Sequence, residues 1–116
     1  MRGPVVSTAS IGRSREHAVA VELARHGWLK LMRAAASKGS ADLLMAHSEY
    51  GAMWLQVGSR TKRLGPADRD RFLADAELIS ALPILAVVIP RQPIRYWHVN
   101  AGQPRGWAAW TPEAPA

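Results

Sequence analysis

The sequence predicts an α/β protein in which helices flank a mixed β-sheet. Two segments carry apolar residues at helical spacing and five have the composition of strands, in the order α-β-β-β-α-β-β. One predicted strand, residues 83–89, is nearly continuously apolar, as expected of a strand buried on both faces. A chain of 116 residues with a 48% hydrophobic share is long enough for one core but not for two.

The first half predicts a helix and a three-stranded meander. Residues 1–11 lack periodicity, so we expect a flexible arm there and a single domain over residues 12–116. Ser14 is a plausible cap for the helix and Gly27 its natural stop. The apolar positions of this helix are Val19, Ala20, Leu23 and Ala24. Strands are predicted over residues 28–33, 42–46 and 52–57, joined by a small-residue loop (34–40) and a turn (48–51).

The second half begins with a basic loop over residues 59–65. Pro66 suits the first position of a helix, where its missing amide costs nothing, and this helix is predicted to run to about Ser80. The apolar strand and a last alternating strand, residues 94–99, follow it. The tail from Asn100 contains Gly, Pro and two tryptophans, and no strand is predicted in it.

The charge of the chain favours a polyanionic partner. The formal net charge is +6 and the pI is about 10.8, with 12 Arg and 3 Lys against 9 acidic residues. Guanidinium groups suit bidentate phosphate contacts better than ammonium groups do. Nucleic acid is the simplest such partner. The alternative is an arginine-rich composition without functional content.

Several classes of protein are excluded by what the sequence lacks. There is no Cys, which excludes a disulfide framework, a thiolate metal site and a cysteine nucleophile. The longest apolar run, residues 82–89, contains Pro83 and is too short to span a bilayer. No run of signal-peptide length occurs near Met1. We therefore expect an intracellular, cytoplasmic protein that does not enter a membrane.

Three oxygen-bearing side chains are candidates for chemistry. Glu16 shares the core-facing side of the first helix, where it faces either a metal or the favourable dipole of the first turn. Asp42 opens a strand although aspartate is a poor strand former, which indicates metal ligation or a role in the preceding turn. Gln56 shares one strand face with Trp54 and Gly58, and either gives its carbonyl oxygen to a metal or is a satisfied core amide.

The order of these motifs resembles the PD-(D/E)xK nuclease superfamily, and more closely the archaeal-type Holliday junction resolvases. In that family a Gly-Arg-x-x-Glu motif opens the first helix, followed by a Gly-aromatic step, a strand ending in Arg, a Ser-containing loop, an Asp strand and a Glu-Val-Lys strand. The matching residues here are Gly12-Arg13, Glu16, Gly27-Trp28, Arg33, Ser37, Asp42 and Gln56-Val57-Gly58. Each motif alone is weak, and the ordered set over residues 12–90 is moderately specific.

The resemblance implies a restriction-endonuclease-like fold with a central mixed five-stranded sheet flanked by helices. It also implies a homodimer that binds and cuts four-way junction DNA with Mg²⁺ or Mn²⁺. The implied metal ligands are Glu16, Asp42 and Gln56. The implied catalytic set adds Gly58 and Ser37. The implied phosphate contacts are Arg13, Arg15, Arg33, Lys38, Arg60, Lys62 and Arg63.

Two departures from the family pattern weaken the implied catalytic site. Gln56 replaces an acidic residue, so we expect weaker metal binding. Gly58 stands where the family has the lysine that helps position and activate the attacking water. Lys62, Arg60 or Lys38 could reach in from a neighbouring loop in its place. We therefore expect stronger binding than cleavage. The alternatives are a non-catalytic protein for branched nucleic acid on the same fold and, less favoured, a basic domain that assembles with a protein partner.

The tryptophans divide into two groups. Trp28 and Trp54 lie in predicted strands and are expected in the core. Trp97, Trp107 and Trp110 cluster near the end, where a dimer contact, core packing and a stacking platform for unpaired bases all remain open. The four histidines have no ligand spacing, so we predict no histidine metal site.

Overall fold

The computed structural model describes residues 8–33, 40–60 and 64–113, with side chains from residue 11 onward. Two α-helices, one 3₁₀ turn and six strands make up this part of the chain. The helices are α1 (Thr8–Ala24) and α2 (Pro66–Leu78), and the 3₁₀ turn is Pro104–Gly106. The strands are β1 (Trp28–Arg33), β2 (Leu43–His47), β3 (Gly51–Gly58), β4 (Leu82–Val87), β5 (Arg95–His98) and β6 (Ala108–Trp110).

The six strands form one mixed sheet in the order of the sequence, β1-β2-β3-β4-β5-β6. Only β3 and β4 run parallel, because α2 connects them and a parallel pair needs a crossover. The remaining neighbours pair antiparallel. A register shift between Lys30 and Met32 interrupts the edge strand β1.

The sheet separates two hydrophobic clusters. On the α1 side, Val19 and Leu23 pack against strand residues such as Leu43, Met53 and Leu55. On the α2 side, Phe72 packs with Leu85, Val87 and other residues of the second cluster. Leu85 and Ile84, adjacent on β4, belong to opposite clusters, so β4 is covered on both sides. The prediction of a strand buried on both faces is confirmed.

A partly buried hydrogen bond joins α1 to β5 across the fold. The hydroxyl of Tyr96 donates to Oε1 of Glu22 at 2.7 Å. Burial raises the pKa of Tyr96 far above its ordinary value, and the hydrogen bond to Glu22 adds to this shift. The contact spans 74 positions of sequence and fixes the helix over the sheet.

The predicted α/β class is confirmed, and two of its elements differ from expectation. The helix α1 begins at Thr8 rather than at a cap on Ser14, so the last four residues of the predicted arm are helical. The sheet has six strands rather than five, because Ala108–Trp110 adds a short strand beside β5. This strand was missed because Gly and Pro surround it and only three residues pair.

Candidate functional site

One end of the sheet brings together the predicted site residues. The strands β1, β3 and β4 end there, while β2 and β5 begin there, as the pairs Arg33–Leu43, Leu43–Leu55, Gly58–Val87 and Val87–Arg95 require. We call this the site end of the sheet. Asp42 lies there just before β2, next to Gln56 and Gly58 near the end of the neighbouring strand β3.

Asp42 is held against the backbone of β3. Its amide donates to the carbonyl oxygen of Leu55 at 2.8 Å, and its Oδ2 accepts the amide of Val57 at 2.8 Å. The carboxylate therefore sits beside Gln56, which lies between these two residues. This bonding also explains why an aspartate is tolerated at the start of a strand, since its side chain continues the ladder. The amide that this carboxylate accepts lies on β3 rather than in the preceding turn, and metal ligation by Asp42 stays a prediction.

Gln56 is fixed by one end of its amide only. Its Nε2 donates to the carbonyl oxygen of Ser40 at 2.6 Å. Its Oε1 is buried and accepts no hydrogen bond from the part of the chain that the structure describes. A buried amide oxygen without a donor is unusual and costs free energy. The alternative of a fully satisfied core amide is therefore wrong for the carbonyl end of this side chain among the described residues.

Ser40 holds the side chains of Trp54 and Gln56 by hydrogen bonds and was not singled out from the sequence. Its hydroxyl donates to Oδ2 of Asp75 on α2 at 2.6 Å and accepts the indole N–H of Trp54 at 2.9 Å. Its carbonyl oxygen positions Gln56. The only sequence signal for Asp75 is its position beside Phe72 and Ala76 at the edge of the apolar stripe of α2, which is weak.

Glu16 reaches the site end through an ion pair. Its Oε1 accepts Nε of Arg33 at 2.7 Å, and its side chain is 14% exposed against 39% for Arg33. The alternative that Glu16 lies in the first helical turn is wrong, because α1 begins at Thr8. A carboxylate turned inward is met by a cation, as the cost of burying charge requires. No group of three or more His, Asp or Glu residues in the described ranges is arranged to hold a metal.

The remaining predicted site residues are spread around this end or lie outside the described residues. Gly58 is buried and faces the α2 side with Gln56. Arg13 and Arg60 are exposed, and Arg15 is half-buried on α1. The residues outside the described ranges are Ser37, Lys38, Lys62 and Arg63.

All five tryptophans lie in or against one of the two hydrophobic clusters, whereas the sequence left core packing open for Trp97, Trp107 and Trp110. Trp28 and Trp110 belong to the cluster on the α1 side and their rings meet edge to face, with centroids 6.2 Å apart. Trp107 is 6% exposed in the cluster on the α2 side, and Trp54 and Trp97 pack against it. The expectation of core positions for Trp28 is confirmed, and that for Trp54 holds in part because it is half-buried.

No protein-family model matches the chain, and no curated protein matches it in sequence. Among solved structures it is similar to Hjc of Archaeoglobus fulgidus, a Holliday junction resolvase from an archaeal hyperthermophile. The TM-score is 0.67 at 22% sequence identity, over 78% of this chain and 74% of the archaeal one. The two proteins share a fold. This resolvase fold is the architecture that the motif order implied.

The oxygen donors at the site end suit a hard divalent ion that takes only a few of its ligands from the protein. Asp42 offers a carboxylate, and Gln56 beside it offers a buried oxygen that has no donor among the described residues. Mg²⁺ is commonly held by one or two protein carboxylates, with waters and substrate phosphates completing its shell. The carboxylate of Glu16 is held by Arg33 instead. In the described part of the chain, no helix is long and apolar enough to cross a membrane.

Proposed function

We propose that this protein is a Holliday junction resolvase-like, structure-specific DNA-binding protein that binds four-way junctions and cuts them slowly. The observation that carries the proposal is the position of Asp42 against β3, beside Gln56, at the site end of a fold shared with a resolvase. Asp42 is fixed by two backbone bonds, and Oε1 of Gln56 is buried with no donor in the described chain. The net charge of +6 supports a phosphate-rich ligand.

The site residues would act through position and charge. Asp42 and Gln56 would hold Mg²⁺ or Mn²⁺, which when bound lowers the pKa of a water and stabilises charge developing on the phosphate. Arg33 keeps Glu16 oriented at the edge of the site. Arg13, Arg15 and Arg60 would contact backbone phosphates, which position the DNA without reading bases. Ser37, Lys38, Lys62 and Arg63 remain proposed members of the same set.

Slow cleavage follows from the residues at positions 56 and 58. Gln56 brings an oxygen without a charge, and Gly58 brings no group that can orient or activate water. Removing one such stabilising partner commonly costs about a hundredfold or more in rate. The same two residues favour the second candidate, a junction-binding protein with no nuclease activity.

We propose a homodimer as the active form, because a four-way junction is two-fold symmetric and presents two equivalent strands. A two-fold dimer would place one site on each of these two strands. Light scattering of the protein alone and in complex with a junction would measure this stoichiometry. One protomer per junction at saturation would contradict the symmetric arrangement.

The binding test compares a four-way junction with linear duplex of the same arm sequence across a salt series. Tighter binding of the junction, with affinity falling steeply as salt rises, is the expected result. Equal affinity for both DNAs would overturn the proposal.

The cleavage test uses end-labelled junctions with MnCl₂ or MgCl₂. Asp42→Asn should abolish slow cutting and keep binding, whereas Asp70→Asn removes an exposed acid on α2 and should change neither. Absent cutting by the unaltered chain, with junction binding intact, would leave the non-catalytic candidate. Cutting that persists in EDTA would contradict the proposed metal site.

A further inference from the structure

A second feature of the α2 side is a pocket of about 390 Å³ beside the site end of the sheet. We call it the arginine–tryptophan pocket. Its walls combine three arginines with two tryptophans and apolar strand residues. The lining residues are Arg60, Leu85, Val87, Arg95, Trp97, Pro104, Arg105 and Trp107. No acidic residue is among these described lining residues, so the pocket suits an anion that also has an aromatic or apolar part.

The strand register places this pocket next to the proposed catalytic residues. Gln56 lies opposite Leu85, which lies opposite Trp97. Directly paired residues share a face of the sheet, so these three side chains form one row on the α2 side. Neighbouring strands are about 4.8 Å apart, which puts Trp97 about 10 Å from Gln56.

A parallel row supplies charge. Gly58 lies opposite Val87, which lies opposite Arg95. Arg60 lies two residues after Gly58, just past the end of β3. Arg60 and Arg95 therefore flank the apolar floor of the pocket at the site end of the sheet, and Arg105 lines it from the 3₁₀ turn.

The loop that carries Trp107 is internally bonded. The indole N–H of Trp107 donates to the carbonyl oxygen of Gly102 at 3.0 Å, and the amide of Gly102 donates to Oδ1 of Asn100 at 2.8 Å. Trp107 is 6% exposed, so its ring forms a fixed wall. Trp97 is half-buried beside it. Ordering these groups before binding reduces the entropy that a ligand must offset.

We infer that the arginine–tryptophan pocket binds an unpaired nucleotide of the DNA strand that enters the proposed catalytic site. This inference rests on the proposed function and adds a substrate feature to it. The pocket is concave and sized for a base with its sugar, which excludes a paired duplex. Base stacking on an aromatic ring is tolerant of sequence, and arginines beside it hold the flanking phosphates. The favoured substrate is thus a branched DNA with unpaired nucleotides next to the branch point.

The experiment compares two four-way junctions that differ only by two unpaired thymidines at the crossover. Fluorescence titration should show that the unaltered protein binds the junction with unpaired thymidines more tightly, by roughly 5- to 100-fold, as expected for the stacking of one base. Trp97→Leu keeps an apolar side chain but removes the aromatic face, and should remove this preference. Arg105→Gln, at an exposed position, should reduce the preference and lower the salt dependence by about one phosphate contact.

Arg25→Gln is the matched control. It removes one exposed cation just after the end of α1 and outside the pocket, so the preference should be retained. Thermal unfolding of each variant checks that the fold is intact. A free nucleotide, thymidine 5′-monophosphate, should compete only weakly because it lacks flanking phosphates. Competition as strong as that of the unpaired strand would overturn the assignment to DNA.

The outcomes separate this inference from the function on which it rests. Tight and equal binding of both junctions, each above linear duplex, would refute the pocket and leave the proposed function standing. Binding of both junctions no tighter than duplex would refute the proposed function and the pocket with it. Retention of the preference in Trp97→Leu and Arg105→Gln would also refute the pocket.

Discussion

Replacing Gln56 with Glu should make the stability of this protein depend on a divalent metal. Nε2 of Gln56 donates to the carbonyl oxygen of Ser40 at 2.6 Å, and a carboxylate cannot donate there. The change loses this hydrogen bond and sets a negative charge beside an acceptor and beside Asp42. Leaving a buried polar group unsatisfied costs about 1–3 kcal/mol, more for a charged group. For a domain of this size that lowers Tm by roughly 4–12 °C in EDTA.

Metal should reverse the loss. Two carboxylates in place of one strengthen a hard-cation site, and binding to the folded state alone adds about 2.7 kcal/mol at a hundredfold excess over Kd. Thermal unfolding followed by circular dichroism, with EDTA or MnCl₂, measures both effects. Gln92→Glu makes the same chemical change in an exposed turn and should shift Tm little under either condition.

Two results would refute this reasoning. A Gln56→Glu protein as stable as the unaltered chain in EDTA would mean that the Ser40 contact does not hold Gln56. A clear loss in EDTA that MnCl₂ does not reverse would mean that residue 56 and Asp42 do not share a cation.

Three further changes have defined outcomes. Gly58→Lys should raise metal-dependent cleavage of a labelled junction by about a hundredfold, because it restores a cation beside Gln56. Above pH 10 the free energy of unfolding should fall with pH less steeply in Tyr96→Phe than in the unaltered protein. The difference in slope should be about 1.4 kcal/mol per pH unit, measured by urea unfolding. The sign follows because burial raises the pKa of Tyr96, so the folded chain keeps a proton that the unfolded chain releases there. Ser40→Ala should cost about 1–3 kcal/mol in urea unfolding, since it removes the acceptor of the Trp54 indole and the donor to Asp75.

Each of these has a matched control. Gly65→Lys adds the same cation at an open position before α2 and should not raise cleavage. Tyr50→Phe alters an exposed tyrosine and should keep the alkaline slope of the unaltered protein. Ser48→Ala removes a hydroxyl from an exposed turn and should cost little. Equal behaviour of a variant and its control would count against the contact concerned.

The sequence predicted the strands that build the site end because their patterns are local. The alternation of Leu55 and Val57 against Gln56 and Gly58 sets the two faces of β3, and the structure confirms it by packing Leu55 on the α1 side. The tail was harder to predict, since β6 pairs over only three residues and depends on β5 being in place. Long-range side-chain partners such as Asp75 with Ser40 leave no periodic signal.

The ion pair of Glu16 with Arg33 could not be predicted from the sequence either. It affects the charge that the proposed site presents to DNA. Arg33 offsets the charge of Glu16, and Gln56 is neutral, so Asp42 carries the only uncompensated charge among these four side chains. A cluster of uncompensated carboxylates repels a phosphate until a metal binds between them. With one such charge left, the proposed site disfavours phosphate much less in the metal-free state. Junction affinity should therefore be nearly the same in EDTA and in MgCl₂ at matched ionic strength, and a large gain with MgCl₂ would show that Glu16 is released to bind metal.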